Sequence, residues 1–226
     1  MIRYRFDFDK DNVLEFACDP NGDTSRETGE ETIVDWLRLD RHRCPHCEVP
    51  LQSRWTCPAA LSLLPVIRAF SNRISHETVK VTVMRDDLKL EAVTSTQQAV
   101  RSLVGLLLAL SSCPVMMRLR PMAYFHLPFG DTPHTVFRAV GMFLTAQYMR
   151  QLEGLTPEWN LQGLLDAYSK LHQINAKLAA RLREAAKKDA TVNSVVILDV
   201  LSYEVEMSIE KNLMTLKPLF AGYLKK

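Results

Sequence analysis

The chain has 226 residues, of which 47% are hydrophobic and 24% are charged. Its 28 basic and 26 acidic side chains leave a formal charge of +2, which argues against a broad electrostatic surface for nucleic acid. Eight glycines and eleven prolines exclude a collagen-like or low-complexity chain, and five cysteines are too few for a disulfide scaffold. The composition is typical of a globular protein with one substantial core or two small ones.

No segment of the sequence has the pattern of a membrane or export signal. The N-terminal residues alternate in charge and contain no apolar run, unlike a signal peptide. The longest apolar stretch, residues 103–110, is far shorter than the roughly 20 residues that span a bilayer. We therefore expect a cytoplasmic protein with no membrane association.

The charge is divided unevenly along the chain. Seven basic and eleven acidic residues precede Cys44, a local charge of −4, so the remainder carries +6. Residues 21–32 contain no large apolar side chain. This composition predicts a mobile, acidic surface loop that is suited to contacts with a protein partner.

The N-terminal part predicts two β-hairpins and one bent helix. Apolar and polar residues alternate over 2–8 and can return over 13–18, and a second alternating pair lies within 78–93. Residues 59–72 have helical spacing, with a bend at Pro65.

The C-terminal part is predicted to be mostly helical. Thr132 is the expected N-cap of the second of its helices, and residues 195–201 also suit a strand. The first helix is apolar all round in its second half, which places it at the centre of the core. Helices are predicted over 96–112, 132–151, 160–188 and about 190–214.

The order of these elements predicts an α+β fold, with a small antiparallel sheet from the two N-terminal hairpins packed on a bundle of four to six helices. Residues 1–226 are expected to form a single domain. Within it, 1–95 hold the hairpins, the cysteine segment and one helix, and 96–226 form the helical part.

Cysteines provide the strongest local motif. Cys44 and Cys47 form a C-x2-C pair, and Cys57 follows after a nine-residue loop. Two thiolates at this spacing can converge on one cation, and zinc takes four such ligands in a tetrahedral array. The sequence therefore predicts three ligands of a zinc site.

Cys113 is the preferred fourth ligand. It stands at a predicted helix end as Cys57 stands at a helix start, and both precede proline. A ligand from this position would attach the cysteine loop to the helical core. His42 and His126 are the alternative fourth ligands, whereas His46 is expected to be exposed.

Four protein ligands would make the zinc structural rather than catalytic. The sequence contains neither H-E-x-x-H nor the H-x-E that accompanies cysteines in nucleobase deaminases. Two alternatives remain for the thiols, a redox or reactive role and simple burial as small apolar side chains. Cys18, on a predicted strand, is interpreted as structural.

Residues 120–129 are rich in aromatic side chains and proline. They can form a pocket floor, with Arg120 for an anion and His126 as acid or base. A pair of Cys113 as nucleophile and His126 as base is a further hypothesis. The simpler interpretation, which we favour, is a buried connector whose histidine bonds backbone groups.

The predicted helix over 160–188 carries two polar features. Tyr168, His172 and Asn175 share one face, which can be a binding strip or a partly solvated surface. Arg181 belongs to a basic C-terminal end that also includes residues 183, 187 and 188, which suits the helix dipole.

Several short motifs occur in a fixed order. They are His42-x-Cys44-Pro45-x-Cys47, Cys57-Pro58-x-Ala60, Cys113-Pro114, Arg120-Pro121-Met122-Ala123-x-x-His126-Leu127-Pro128-Phe129 and Asp189-Ala190-x-x-Asn193. Their combination resembles an uncharacterised bacterial family described only as a domain of unknown function. The resemblance covers nearly the whole chain and implies a bacterial, single-domain protein with no established activity. Ser112 departs from the glycine expected before Cys-Pro.

Two hypotheses of different classes follow. The first is a non-enzymatic, zinc-stabilised interaction or regulatory module that binds a protein partner or itself. The second is a metal-dependent or His-assisted enzyme with a pocket near Arg120 and His126. A nucleic-acid-associated zinc module is the least favoured alternative, because the net charge is nearly neutral.

Overall fold

A computed structural model describes residues 1–9, 12–25, 34–211 and 213–224. It has the predicted α+β architecture, in which both hairpins join one antiparallel sheet of order β2-β1-β3-β4. The strands are β1 (Ile2–Asp9), β2 (Asn12–Cys18), β3 (Thr78–Arg85) and β4 (Leu88–Ser95).

The other regular elements of the described residues are helices. They are α1 (Pro58–Ser62), α2 (Leu64–Phe70), α3 (Thr96–Ala109), α4 (Arg120–Tyr124), α5 (Thr132–Leu152), α6 (Gln162–Ala185), α7 (Ala190–Glu210) and α8 (Ala221–Leu224). Short 3-10 helices cover Asp35–Leu37, Met116–Leu119 and Lys217–Phe220. None of the described helices is both long enough and apolar enough to cross a membrane.

The sheet buries one face, as the alternation in β1 predicts. Tyr4 and Phe6 are fully buried, and the Phe6 ring lies 5.0 Å from that of Phe70 on α2, edge to face. Phe16 of β2 stacks on the same Phe70 ring at 5.7 Å. The aromatic side chains therefore attach the first hairpin to α2.

Helix α3 lies at the centre of the core, as its apolar second half predicts. Leu103 and Leu110 are fully buried, and α3 packs against β3, β4 and α7. Residues 195–201 belong to α7 rather than to a strand. Val195 is fully buried, whereas Val196 and Val200 are exposed, and α7 as a whole packs against α3 and α6.

Two local predictions are corrected. The N-cap of α5 is Asp131 rather than Thr132, because the Asp131 carboxylate accepts the His134 N–H at 3.0 Å. The described front of the acidic segment, residues 21–25, is not a free surface loop. Ser25 is fully buried, and its hydroxyl lies 2.7 Å from that of Ser112.

The remainder of that acidic segment, residues 26–32, lies outside the described residues. The turn between the first two predicted strands is likewise described only at its ends. The expected single-domain organisation stays a prediction.

We predict that Phe70→Ala lowers the free energy of unfolding by about 3–5 kcal/mol, because the cavity it leaves separates the first hairpin from α2. Phe125→Ala is the matched control, since this phenylalanine is 70% exposed, and it is expected to change stability by less than about 0.5 kcal/mol. Urea unfolding followed by circular dichroism measures both. Equal losses in the two variants would contradict the packing described for Phe70.

Candidate functional site

The structure brings the four predicted cysteine ligands to one cavity. Cys44, Cys47, Cys57 and Cys113 all line a space of about 30 Å³, which holds about one water molecule or ion. Three separate segments of the chain supply them, and α6 forms the opposite wall. We call this space the cysteine cavity.

A tight turn positions the first two thiols. The Cys47 N–H donates to the Cys44 carbonyl at 3.1 Å, which closes the C-x2-C segment on itself. The Arg43 guanidinium holds the turn from outside, donating to the Val49 carbonyl at 2.8 Å and the Cys47 carbonyl at 3.3 Å. Both cysteines line the cysteine cavity, and the Cys47 thiol also lies 4.0 Å from the Val49 carbonyl.

Cys57 is the N-cap residue of α1, with Pro58 in the first turn as its fixed backbone angle favours. Its N–H donates to the Leu37 carbonyl at 2.7 Å, so the start of α1 is joined to the segment before the cysteine loop. The Leu61 N–H donates to the Cys57 carbonyl at 2.8 Å, the first bond of the helix.

Cys113 lies between α3 and the 3-10 helix that follows. Burial raises the pKa of its thiol, while hydrogen bonds from the backbone of Met116 and Val115 oppose that rise. Backbone N–H groups that face a cysteine sulfur stabilise its thiolate form, as the outer partners of a metal ligand do.

Two of the four thiols, those of Cys44 and Cys113, have raised pKa values. Burial, and then the neighbouring Cys57, Cys113 and Cys47, raise the pKa of Cys44 to about 12. As the side chains stand, the described residues contain no group of three or more His, Cys, Asp and Glu positioned to hold a metal ion. The backbone thus gathers the thiols around one space without the sulfurs meeting at one point.

A buried cation borders the cysteine cavity. Arg181 of α6 lines it and is only 2% exposed. Its guanidinium donates to the carbonyls of Trp36 and Arg38 at 2.7 Å each, and also to that of Arg41. Arg181 thus lies in the predicted basic C-terminal part of the helix, but its side chain is buried, which the sequence analysis did not predict.

No carboxylate among the described side chains forms an ion pair with Arg181. The nearby Glu184 binds Arg41 and His42 instead, at 3.1 and 2.7 Å. The periodicity of α6 held the only clue to the burial of Arg181, because position 181 follows Leu178 and Ile174 on the apolar face.

The alternative fourth ligands lie elsewhere. His42 does not line the cysteine cavity but pairs with Glu184 through Nε2. His126 lines a different cavity, so the structure joins it neither to the thiols nor to Cys113 as a nucleophile–base pair. His46 borders the cysteine cavity and is exposed, as expected.

A larger space of about 130 Å³ lies among α3, α5, α6 and α7, and we call it the helical cavity. The 120–129 segment contributes part of its wall, including Met122, His126 and Phe129, as a pocket floor should. Arg120 does not line it, because its guanidinium donates to the carbonyls of Asn21 and Gly22. The prediction that Arg120 lines this pocket and holds an anion there is therefore wrong.

His126 bonds a side chain rather than the backbone groups that we expected. Its Nε2 shares a short hydrogen bond with the Tyr4 hydroxyl, which also lies 2.8 Å from Ser102 Oγ. Burial, helped by the positive charges of Arg138 and Arg85, lowers the pKa of His126 to about 3. The imidazole is therefore neutral near pH 7.

The predicted polar face of α6 divides in two. His172 and Asn175 both approach Asp199 of α7, at 3.0 and 3.3 Å, whereas Tyr168 is buried beneath Met122.

Partner binding by the acidic segment stays a prediction.

Comparison with known proteins gives one match. The family model "Domain of unknown function (DUF6901)" matches residues 2–221. No curated protein and no solved structure matches the chain significantly.

We predict that Arg181→Met lowers the free energy of unfolding by about 3 kcal/mol or more, because three backbone carbonyls lose a charged donor. Arg181→Lys recovers only part of the loss, since an ammonium does not have the planar fork of a guanidinium. Arg183→Met, two positions along α6 and exposed, is the matched control with little effect. Urea titration measures all three, and similar values for positions 181 and 183 would refute the role of Arg181.

The neutral His126 predicts a pH dependence of stability. Its folded pKa lies below the unfolded value near 6.5, so the unfolded chain takes up the proton first. The free energy of unfolding therefore falls as the pH drops below about 6.5, by about 1 kcal/mol per pH unit.

Urea unfolding at about pH 7 and about pH 5 measures this loss. His126→Gln, which keeps a polar atom near Tyr4, is expected to show a smaller difference, and the exposed His76→Gln is the control. If the free energy of unfolding of His126→Gln changed with pH as steeply as that of the wild type, the pH dependence would belong to other groups.

Proposed function

The chain belongs to the DUF6901 family of domains of unknown function, and we propose that it is a non-enzymatic binding module whose cysteine loop is held on the helical core by a structural zinc ion. The proposed ligands are Cys44, Cys47, Cys57 and Cys113. Bacterial origin and cytoplasmic location belong to the same proposal, since a reducing compartment keeps these thiols available to a metal.

One observation carries the proposal, namely four thiols around a cavity of ionic size beside a buried guanidinium. A zinc ion with four thiolates has a formal charge of −2, whereas the charged residues that border the cavity, Arg181, Lys177 and Glu48, together carry +1. A buried charge is costly unless a counter-charge lies near it. The metal cluster supplies that counter-charge, which neutral thiols do not.

The cysteine loop needs such a fixed point because it has little apolar packing of its own. Between Cys44 and Trp55 only Val49 is buried, and Trp55 itself is 78% exposed. Few buried contacts make a segment prone to local opening. Zinc bound to Cys44 and Cys47 on one side and to Cys57 and Cys113 on the other would hold it closed.

Metal binding requires the sulfurs to converge to about 2.3 Å from one centre. The proposal therefore includes rotation of the cysteine side chains into the cavity. With all four positions taken by protein, the site has none for a reacting water, which favours a structural role over a catalytic one.

The state of His126 favours the non-enzymatic alternative as well. A general base works best with a pKa near the operating pH, and a pKa of about 3 makes His126 a weak base at neutrality. Its ring nitrogen is also engaged by Tyr4, and the Arg120 that was to hold the substrate binds backbone carbonyls instead.

We predict that the protein purified from zinc-supplemented cells holds about one zinc ion per chain. Cys47→Ser and Cys57→Ser are expected to lose it, because either change removes a thiolate from a four-ligand site. Elemental analysis measures the metal. Cobalt substitution reports the ligands, since thiolate-to-metal absorption falls with each cysteine removed.

Cys18→Ser is the matched control, because Cys18 is a free cysteine on β2 that does not line the cysteine cavity. It should retain the metal. Zinc-free wild-type protein, or equal zinc in Cys18→Ser and Cys47→Ser with both folded by circular dichroism, would overturn the proposal.

A further inference from the structure

We propose that the helical cavity binds a small amphipathic carboxylate, an acid with an apolar body near the size of a benzene ring and a hydroxyl or amino donor at the far end. The carboxylate would lie toward Arg101 and Arg138, and the donor toward Asn175. This site shares no residue with the cysteine cavity and does not depend on the zinc proposal.

The size and interior of the cavity set the body of the ligand. Its volume is about 130 Å³, and an apolar cavity of about 150 Å³ is known to hold benzene. The buried part of the wall is apolar, with Leu106 and Leu108 from α3, Met116 from the 3-10 helix and Leu171 from α6. Such a lining favours a compact apolar or aromatic group.

Two arginines supply the charge selectivity. Arg101 and Arg138 line the cavity and are half-buried, so they lie nearer to solvent than its leucines. Burial lowers the pKa of both guanidinium groups, and the charge of Glu204 opposes this shift only in part for Arg101.

No aspartate or glutamate stands among the described residues of the cavity wall. Arg138 donates to the carbonyls of Met122 and Phe125, at 2.6 and 2.9 Å, and Arg101 donates to that of Gly130 at 3.4 Å. His126 is neutral and adds no charge. Glu204 interacts with Arg101 from outside the wall, but two cations that face the cavity with no carboxylate on its described wall favour a carboxylate ligand, which a guanidinium binds through paired hydrogen bonds.

Asn175 indicates the other end of the ligand. It is 2% exposed and lines the cavity, and its buried Oδ1 has no hydrogen-bond partner among the described residues. Its Nδ2 faces the Asp199 carboxylate at 3.3 Å, which fixes the orientation of the amide. A buried carbonyl oxygen without a donor is costly, so a ligand that brings an O–H or N–H is favoured.

Three small aromatic probes test the need for the carboxylate and the need for the hydrogen-bond donor separately. 4-Hydroxybenzoate has the carboxylate, the ring and the donor, whereas benzoate lacks the hydroxyl and phenol lacks the carboxylate. We expect saturable binding of 4-hydroxybenzoate, about tenfold weaker binding of benzoate and the weakest binding of phenol. Isothermal titration calorimetry gives the affinities, and amide chemical shifts locate the site on α3 and α6.

Two substitutions test the named contacts. Arg101→Met is expected to weaken 4-hydroxybenzoate about tenfold to a hundredfold while leaving phenol unchanged. Asn175→Leu removes the unpaired oxygen and should bring 4-hydroxybenzoate to the affinity of benzoate or below. Arg118→Met, at an exposed arginine outside the cavity wall, is the matched control.

The inference is overturned if 4-hydroxybenzoate does not bind saturably, if phenol binds as tightly, or if Arg101→Met and Arg118→Met bind it equally. Should Arg101→Met fail to fold, the Asn175→Leu comparison decides the same question. Zinc content measured on the same samples keeps the two proposals apart, because loss of carboxylate binding with the metal retained concerns the helical cavity alone.

Discussion

Three hydrogen bonds from one buried guanidinium join the N-terminal cysteine segment to the helical part of the protein. Arg181 of α6 donates to the carbonyls of Trp36, Arg38 and Arg41, in a stretch with little regular structure of its own. Because a guanidinium has five donors in a planar fork, it satisfies several carbonyls at once. The path of the chain into the Cys44 turn depends on this contact, and so does the gathering of the thiols.

Helix α6 contributes residues to the walls of both proposed sites, so it connects the cysteine cavity to the helical cavity. Its C-terminal half closes the cysteine cavity through Lys177 and Arg181, and its middle supplies Leu171 and Asn175 to the helical cavity. A change in the position of α6 would therefore reach both sites. Positive side chains outnumber negative ones around each space, two to one at the cysteine cavity and two to none among the described wall residues of the helical cavity, so electrostatics rather than shape alone argues that the spaces are used.

Predictions succeeded where the physical cause was local. Alternation in β1, proline at the start of α1 and the apolar second half of α3 each reflect neighbouring residues, and the hairpins and helices follow them. Arg120 was misplaced, and the burial of Arg181 was not predicted, for the opposite reason. Whether a charged side chain is buried depends on which distant carbonyls surround it, and neither spacing nor composition contains that information.

The sequence by itself determined the α+β class, the two hairpins and the four cysteines worth grouping, because strand and helix periods and C-x2-C spacing are properties of adjacent residues. Only the tertiary structure decided which side chains share a space. In the structure Cys113 lines the same cavity as the first three cysteines, whereas His42 and His126 do not. The arginines of the helical cavity are Arg101 and Arg138 rather than the predicted Arg120. Packing between elements far apart in the chain makes these choices, since burial and charge compensation arise only when those elements meet.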